Sequence, residues 1–289
     1  VKTRKTARFL EPAAPNRPEG SRFAVVAVPY ERTTSYGQGT ASGPAAVLEA
    51  SAQLELWDEE LRRETWKLGV YTAPAVNCKG AESAVFARIE AAARNFAGKK
   101  AVPFFIGGEH SITQALYKPF REKYPGLSVL HFDAHADLRE TYRGSRRSHA
   151  CALYPASRDC RVVQFGIRSA GPDEAPRMNS GNVSTFFAHD RIPAKTLARK
   201  IMDALTDTVY ITLDVDGFDP AVMPGTGTPQ PGGLSWYEAL DVLRPVCLAK
   251  KIVAVDVVET SPLKGSAISE FTTAKLIYRL MGYLSAKKG

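Results

Sequence analysis

Eight apolar runs of strand length, mostly separated by windows of helical length, constrain this chain more than any other feature of its sequence. Phe23–Pro29 (Phe-Ala-Val-Val-Ala-Val-Pro) is the clearest of them, apolar without alternation and closed by a breaker. A strand that is apolar on both faces needs cover on both, which a parallel sheet receives from its crossover helices. Further runs follow at 67–71, 101–106, 127–133, 161–167, 183–187, 208–216 and 252–258. Helical windows fall at 44–57, 82–97, 111–123, 195–205, 236–249 and 269–285. Pro44 suits a first helical turn. In the last window Ile277, Leu280, Met281 and Leu284 share one face, and Ser269 stands where a cap would. This order predicts an α/β fold, a three-layer α/β/α sandwich around an eight-stranded, mainly parallel sheet. Residues 1–20 are polar and hold Pro12, Pro15 and Pro18, so they read as an N-terminal arm rather than core. Residues 21–289 contain no linker, repeat or low-complexity block and read as one domain.

Apolar residues make up 44% and charged residues 24%, an ordinary globular balance. No window approaches the roughly 18 consecutive apolar residues of a membrane span, and no apolar signal core follows the basic N-terminus. The net charge of +8 is spread along the chain, with clusters at Lys2–Arg8 and Lys287–Lys288. Aromatics do not interleave with the basic residues, and zinc-finger and helix-turn-helix patterns are missing, which argues against a nucleic-acid partner. Cys78, Cys151, Cys160 and Cys247 are widely spaced and form no C-x-x-C. Unpaired thiols in a reducing compartment are expected, with the cytoplasm as the default.

Ligands of open parallel sheets bind beyond the carboxyl ends of the strands, and the polar residues of this chain gather at such ends. Asp133, His135 and Asp137 leave the strand at 127–133 within five residues. Charges so close to a core converge on a cation or scatter into solvent. His110, in Ile106-Gly-Gly-Glu-His-Ser111, starts the next helix and reads equally as an ordinary imidazole after a glycine turn. Asp214 and Asp216 are two apart, so on a strand they share a face and repel unless a cation or an arginine answers them. Glu259 ends the run from Val255; there it can bind a cationic substrate or stay solvated. His149, in Ser148-His-Ala150, has the side chain suited to proton transfer near neutrality, with Ser148 as a cap. His131 reads as core or as support for Asp133, His189 as a loop residue and Asp219 as a turn residue. Cys151 and Cys160 read as buried thiols. The loop Met223–Leu234 lacks Gly-Lys-Ser/Thr, which disfavours a nucleotide site. Together His110, Asp133, His135, Asp137, Asp214 and Asp216 exceed the needs of one cation and suit two. Their oxygen-rich character disfavours structural zinc, the imidazoles disfavour calcium or magnesium, and Mn²⁺ fits. Two ions about 3.5–4 Å apart can hold a bridging water and lower its pKa towards neutrality.

Gly-Gly-Glu-His, Phe-Asp-Ala-His-Ala-Asp, Ser-His-Ala and Asp-Val-Asp-Gly-Phe-Asp-Pro stand in that order, after an early loop Pro29-Tyr-Glu-Arg-Thr-Thr-Ser-Tyr-Gly-Gln-Gly-Thr40 and Gly43-Pro44. From about Phe23 to the last helix the chain resembles the ureohydrolase family (arginase, agmatinase and relatives), and within it the agmatinase-like branch. The resemblance implies two Mn²⁺ ions per subunit. His110, Asp133, Asp137 and Asp214 would hold one, and Asp133, His135, Asp214 and Asp216 the other. It further implies that bridging hydroxide attacks the carbon of a guanidinium group, with Asp137 accepting a hydrogen bond from the nucleophile. Glu259 would bind the guanidinium and His149 would pass a proton to the departing amine. Urea and a primary amine are the implied products, and trimers or hexamers the implied assembly. Where arginase-type members hold the α-amino acid head with Asn and Ser-Gly-Asn, this chain has Leu138-Arg139 and Arg146-Arg147-Ser148. That favours agmatine, cleaved to putrescine. Arg139, Arg143, Arg146 and Arg147 suit a dication only if they point outward. Otherwise they fit an ω-guanidino acid such as 4-guanidinobutyrate, and formimidoylglutamate is a further alternative. Two rivals of other classes are a mononuclear zinc deacetylase and a non-catalytic metal-binding protein. His110 together with the complete Asp-x-His-x-Asp speaks against the deacetylase.

Overall fold

The structure is a computed structural model that describes residues 7–14 and 16–286. Residues 2–6 of the basic N-terminal cluster, Pro15, Lys287 and Lys288 lie outside the described residues. In chain order the elements are β1 (Phe23–Val28), α1 (Gly43–Ser51), β2 (Val70–Thr72), α2 (Glu82–Arg94), β3 (Val102–Gly107), α3 (Thr113–Leu116), α4 (Lys118–Lys123), β4 (Leu127–Phe132), α5 (Tyr154–Asp159), β5 (Arg161–Ile167), β6 (Val183–Phe187), α6 (Ala194–Ala204), β7 (Thr208–Asp214), α7 (Trp236–Ala249), β8 (Lys251–Val258) and α8 (Ile268–Ala286).

Among the described residues the strands form one eight-stranded sheet in the order β2-β1-β3-β8-β7-β4-β5-β6, with every pairing parallel. Strand periodicity divides the apolar residues between two cores. Phe23 and Val25, Phe104 and Ile106, Ile211 and Leu213 pack with α1, α6, α7 and α8 on one face. Val26 and Val28, Phe105, Val129 and Tyr210 pack with α2, α3, α4 and α5 on the other. This is the three-layer α/β/α sandwich expected. Because the chain passes from β3 to β4 over the places later taken by β8 and β7, the four central strands are β3, β8, β7 and β4. Their carboxyl ends open a crevice at the topological switch.

Several boundaries differ from those read in the sequence, each for a local reason. The window at 111–123 is broken into a 3-10 turn, α3 and α4, because Pro119 has no N–H to continue the ladder. The helix expected to reach Trp57 stops at Ser51. Residues 65–68 form a 3-10 turn, and Gly69, at φ +82°, redirects the chain so that β2 starts only at Val70. β7 ends at Asp214, followed by a 3-10 turn, so Asp214 and Asp216 are not two residues of one strand face. Ser269 lies inside α8, and its hydroxyl accepts a hydrogen bond from Gly225 N–H at 2.7 Å instead of capping the helix. The N-terminal arm is part of the core over a short stretch. Phe9 and Leu10 are buried, with Phe9 N–H donating to Thr72 Oγ1 and Leu10 N–H to Ser51 Oγ, each at 2.9 Å.

Candidate metal centre and active-site cleft

The six metal-competent side chains leave three central strands and meet at the crevice. His110 follows β3 in a 3-10 turn, Asp133, His135 and Asp137 follow β4, and Asp214 ends β7 with Asp216 in the next turn. His110 Nδ1 lies 3.2 Å from Asp133 Oδ2, 3.1 Å from Asp137 Oδ2 and 3.4 Å from Asp214 Oδ2. His135 Nδ1 lies 3.0 Å from Asp216 Oδ2 and 3.6 Å from Asp133 Oδ1. Asp133 thus faces both imidazoles. Asp216 joins the group through its turn, with its N–H donating to Asp214 Oδ1 at 2.9 Å and its own Oδ1 accepting from Ala134 N–H at 3.1 Å. Asp137 sits at φ +51° and Glu259 at φ +65°. The left-handed region is costly for residues with a Cβ, and such strain gathers where a side chain must be aimed.

Polar residues one step back along the strands fix the histidines. Thr212 lies on the same strand as Asp214, two residues earlier, and its hydroxyl donates to Asp256 Oδ1 at 2.6 Å. Tyr210 OH donates to Asp256 Oδ2 at 2.6 Å. With its proton committed to Asp256, Thr212 Oγ1 accepts from His110 Nε2–H at 2.9 Å. His110 Nδ1 is therefore the nitrogen left to take a proton or a cation, aimed at three carboxylates and, among the described residues, without a hydrogen-bond partner. Only a proton or a cation there relieves the repulsion. His131 is placed differently. Gln164 donates its amide protons to His131 Nδ1 (2.9 Å) and Ala136 O (2.7 Å) and accepts from Thr185 Oγ1, so His131 Nε2–H donates to Asp133 Oδ2 at 2.7 Å. No lone pair of His131 is free, and it supports Asp133 as expected.

The titration pattern of the bare cluster is that of a site built around positive charge. Burial, and then the charges of Asp216 and Asp133, push the Asp214 carboxyl well up. Burial and the Asp133 charge raise Asp137 to about 7. Against the effect of burial, Asp133, Asp137 and Asp214 hold His110 well above its ordinary value. His135, also against burial, is pushed up to about 12 by Asp216 and Asp133. In both histidines a proton occupies the place of a cation.

A cleft of about 200 Å³ opens onto the cluster, lined among others by His149, Glu259, Arg139, Tyr142 and Glu174. Glu259 follows β8. Burial, with Glu109 adding its charge, pushes its carboxyl well up, and Oε1 accepts from His110 N–H at 2.7 Å. Gly37 and Gly227 close the wall beside it, Gly37 N–H donating to Gly227 O at 3.1 Å. A Cβ at Gly37 would stand 2.8 Å from that oxygen, so the approach requires glycine. Burial and the cations at His110 and His135 lower the His149 imidazole to about 4.

Residues 21–282 match the family model of the Arginase family. The chain belongs to the arginase family. It is 38% identical over 291 residues to the N(1)-aminopropylagmatine ureohydrolase of Synechocystis sp., covering 96% of this chain and 93% of that protein. To the agmatinase of Pyrococcus horikoshii it is 31% identical over 263 residues, covering 90% and 91%. The crystal structure of the agmatine ureohydrolase of Thermoplasma volcanium superposes with a TM-score of 0.86 at 26% identity, covering 94% of this chain and 92% of that one.

As an arginase-family protein the chain is a metal-dependent amidinohydrolase, and its residues fit a binuclear centre. The unsatisfied His110 Nδ1 and the excess of carboxylates supply the donors such a centre needs. The arginine-rich loop is less obstructive than its composition suggested. Arg146 pairs with Glu140, Arg147 pairs with Glu82, and Arg143 is exposed. Of the four, among the described residues, Arg139 alone lines the cleft, answered by Glu174 at 3.3 Å and Asp173 at 3.5 Å. Ser148 makes no capping bond to the turn it precedes. Sequence reasoning passed over Thr212, Asp256, Gln164, Glu109 and Thr33. Asp256 carried a readable signal, an ionisable residue inside the apolar run Ile252–Val258.

Proposed function

We propose that the chain cleaves the guanidino group of agmatine to urea and putrescine with two Mn²⁺ ions. His110, Asp133, Asp137 and Asp214 would hold one ion, and Asp133, His135, Asp214 and Asp216 the other, with Asp133 and Asp214 shared. Bound there, the ions supply an activated water near neutral pH and positive charge for the reacting centre. The rest falls to the chain. Glu259, held at Oε1 by His110 N–H, keeps Oε2 to accept from the substrate guanidinium. Asp137 takes a hydrogen bond from the nucleophile. His149, on the cleft wall and neutral at working pH, would first take the proton that the nucleophile gives up and then pass it to the departing amine. The cleft floor, where His110, Asp137, Asp214 and Glu259 are buried, holds the charge-assisted contacts away from bulk water.

The observation that carries this reading is a buried carboxyl, Glu259, lining one cleft with His110, His135, Asp137 and Asp214, four of the six metal-competent side chains. A second reading, agmatine extended by an aminopropyl group, is favoured by the higher identity to proteins named for that substrate. The neutralised Arg139 leaves both polycations admissible, while a free carboxylate-binding arginine would favour guanidino acids. Urea release in Mn²⁺ from agmatine, aminopropylagmatine, arginine and 4-guanidinobutyrate, with formamide release from formimidoylglutamate, tests the choice. Turnover of the first two is expected, and urea from arginine or 4-guanidinobutyrate alone overturns it. Assembly into trimers or hexamers belongs to the same proposal, with exposed Tyr36, Leu263, Ile268 and Phe271 as apolar surface to cover. Sedimentation at working concentration checks it. Unpaired Cys78, Cys151, Cys160 and Cys247 support a reducing, cytoplasmic setting. Among the described residues no helix is long and apolar enough to cross a membrane.

A further inference from the structure

Glu109, beside His110 in sequence, faces away from the metal-competent cluster and into the loop after β1. It is fully buried and accepts from four donors. Thr33 N–H (2.6 Å) and Arg32 N–H reach Oε2, while Thr33 Oγ1 (2.7 Å) and Ser111 Oγ reach Oε1. An oxygen pair that accepts four times is a carboxylate with no proton of its own to give. The single hydroxyl proton of Thr33 is therefore committed to Glu109. Its lone pairs remain for His149, whose backbone N–H lies at 3.1 Å and whose Nδ1 lies at 3.3 Å. An acceptor in that place requires Nδ1 to carry the proton. Ser148 Oγ is the other neighbour of Nδ1, at the 3.5 Å margin of a hydrogen bond. The Tyr142 ring meets the imidazole edge to face, with centroids 5.9 Å apart.

We propose that Thr33 is a positioning residue for His149: backed by Glu109, its hydroxyl accepts from Nδ1–H and confines proton exchange to Nε2, the nitrogen left for the cleft. This rests on the reading of His149 as the proton carrier for the departing amine. A carrier that could exchange at either nitrogen would spend part of its time in the wrong tautomer, with its basic nitrogen turned to the wall. The loop holding Thr33 also supplies the cleft residues Thr34, Ser35 and Gly37, so one buried carboxylate ties the substrate wall to the proton carrier. The pattern repeats that at His110, where Asp256 commits the Thr212 hydroxyl in the same way.

The test is a double-mutant cycle in the full, Mn²⁺-loaded protein with the substrate that releases urea. Thr33→Val is isosteric and leaves the backbone N–H groups on Glu109; Thr33→Ala serves if valine disturbs the loop. Expected is a fall in kcat of about 10- to 100-fold with KM within about two-fold. Metal content should be unchanged, and Thr33→Ser should recover most of the loss. In a His149→Asn background, Thr33→Val should cost nothing further. Parental turnover by Thr33→Val and Thr33→Ala, or an equal added loss in the His149→Asn background, overturns the proposal. If His149→Asn alone keeps full turnover, the proton-carrier reading fails and the proposal goes with it. That outcome is recognisable before any Thr33 variant is made.

Discussion

Replacing Thr212 by valine removes one hydroxyl from beneath the metal-competent cluster and leaves its shape in place. Two bonds go, the one accepted from His110 Nε2–H at 2.9 Å and the one donated to Asp256 at 2.6 Å. An unsatisfied buried donor costs about 1–3 kcal/mol, and a bond to a charged group is worth about 1.5–3 kcal/mol. Asp256 keeps Tyr210 and, at 3.2 Å, Thr113, so the low end applies to it. About 3 kcal/mol is a large fraction of the 5–15 kcal/mol that holds a domain folded, yet leaves it folded. The metal feels the change separately. His110 is freed to turn or to protonate at the wrong nitrogen, and losses of a ligand's outer hydrogen bond run to about 10- to 100-fold in affinity. Calorimetric titration of stripped protein with Mn²⁺ reads the second effect, and thermal unfolding in chelator reads the first. Thr212→Ser should stay within a few-fold of the parent in both. A Thr212→Val protein that binds metal as tightly as the parent would falsify the inference that this hydroxyl fixes His110.

Other outcomes follow from the same geometry. Asp133→Asn should lose both ions and urea release, since Asp133 faces both imidazoles; a fully metallated, active variant refutes the shared role. Glu259→Gln should keep its metal and lose about 10- to 100-fold in kcat/KM, the worth of one charge-assisted bond; parental kinetics would remove the guanidinium from Glu259. Metal should stabilise more at pH 8 than at pH 5. In the metal-free protein Asp137 is raised to about 7, so its stabilising share is full below its ordinary value near 4 and lost as pH rises through 7. His135, raised to about 12, contributes fully below its ordinary value near 6.5 and fades towards 12. Bound metal replaces both protons, so the metal-induced gain in Tm grows with pH, and a gain that shrinks contradicts the assignment.

What the sequence disclosed and what it concealed divide along a physical line. Continuous apolar runs required cover on both faces, so the parallel sheet and its layers were readable, and strand ends told where the metal-competent residues gather. Asp214 and Asp216 were read as sharing a strand face. They meet instead through a turn that only the backbone reveals, with one N–H bonded to the other carboxylate. Thr33 lies 116 positions from His149 and Thr212 lies 102 from His110, and nothing local announces a bond across such distances. Phe9 and Leu10 were hidden by polar neighbours and prolines, although two apolar residues suffice to anchor the arm. The arginine-rich loop misled by composition. The charges of Arg139, Arg146 and Arg147 are answered by Asp173, Glu174, Glu140 and Glu82, partners that only tertiary structure supplies, and Arg143 is exposed.

Metal content per chain bears most directly on the convergence of the β3, β4 and β7 ends around two cations. The protein is stripped with chelator, reloaded with excess Mn²⁺, freed of unbound ion and analysed for metal against protein. Two ions per chain are expected, falling together to near zero in Asp133→Asn. One ion or none in a folded parent protein would contradict the binuclear centre.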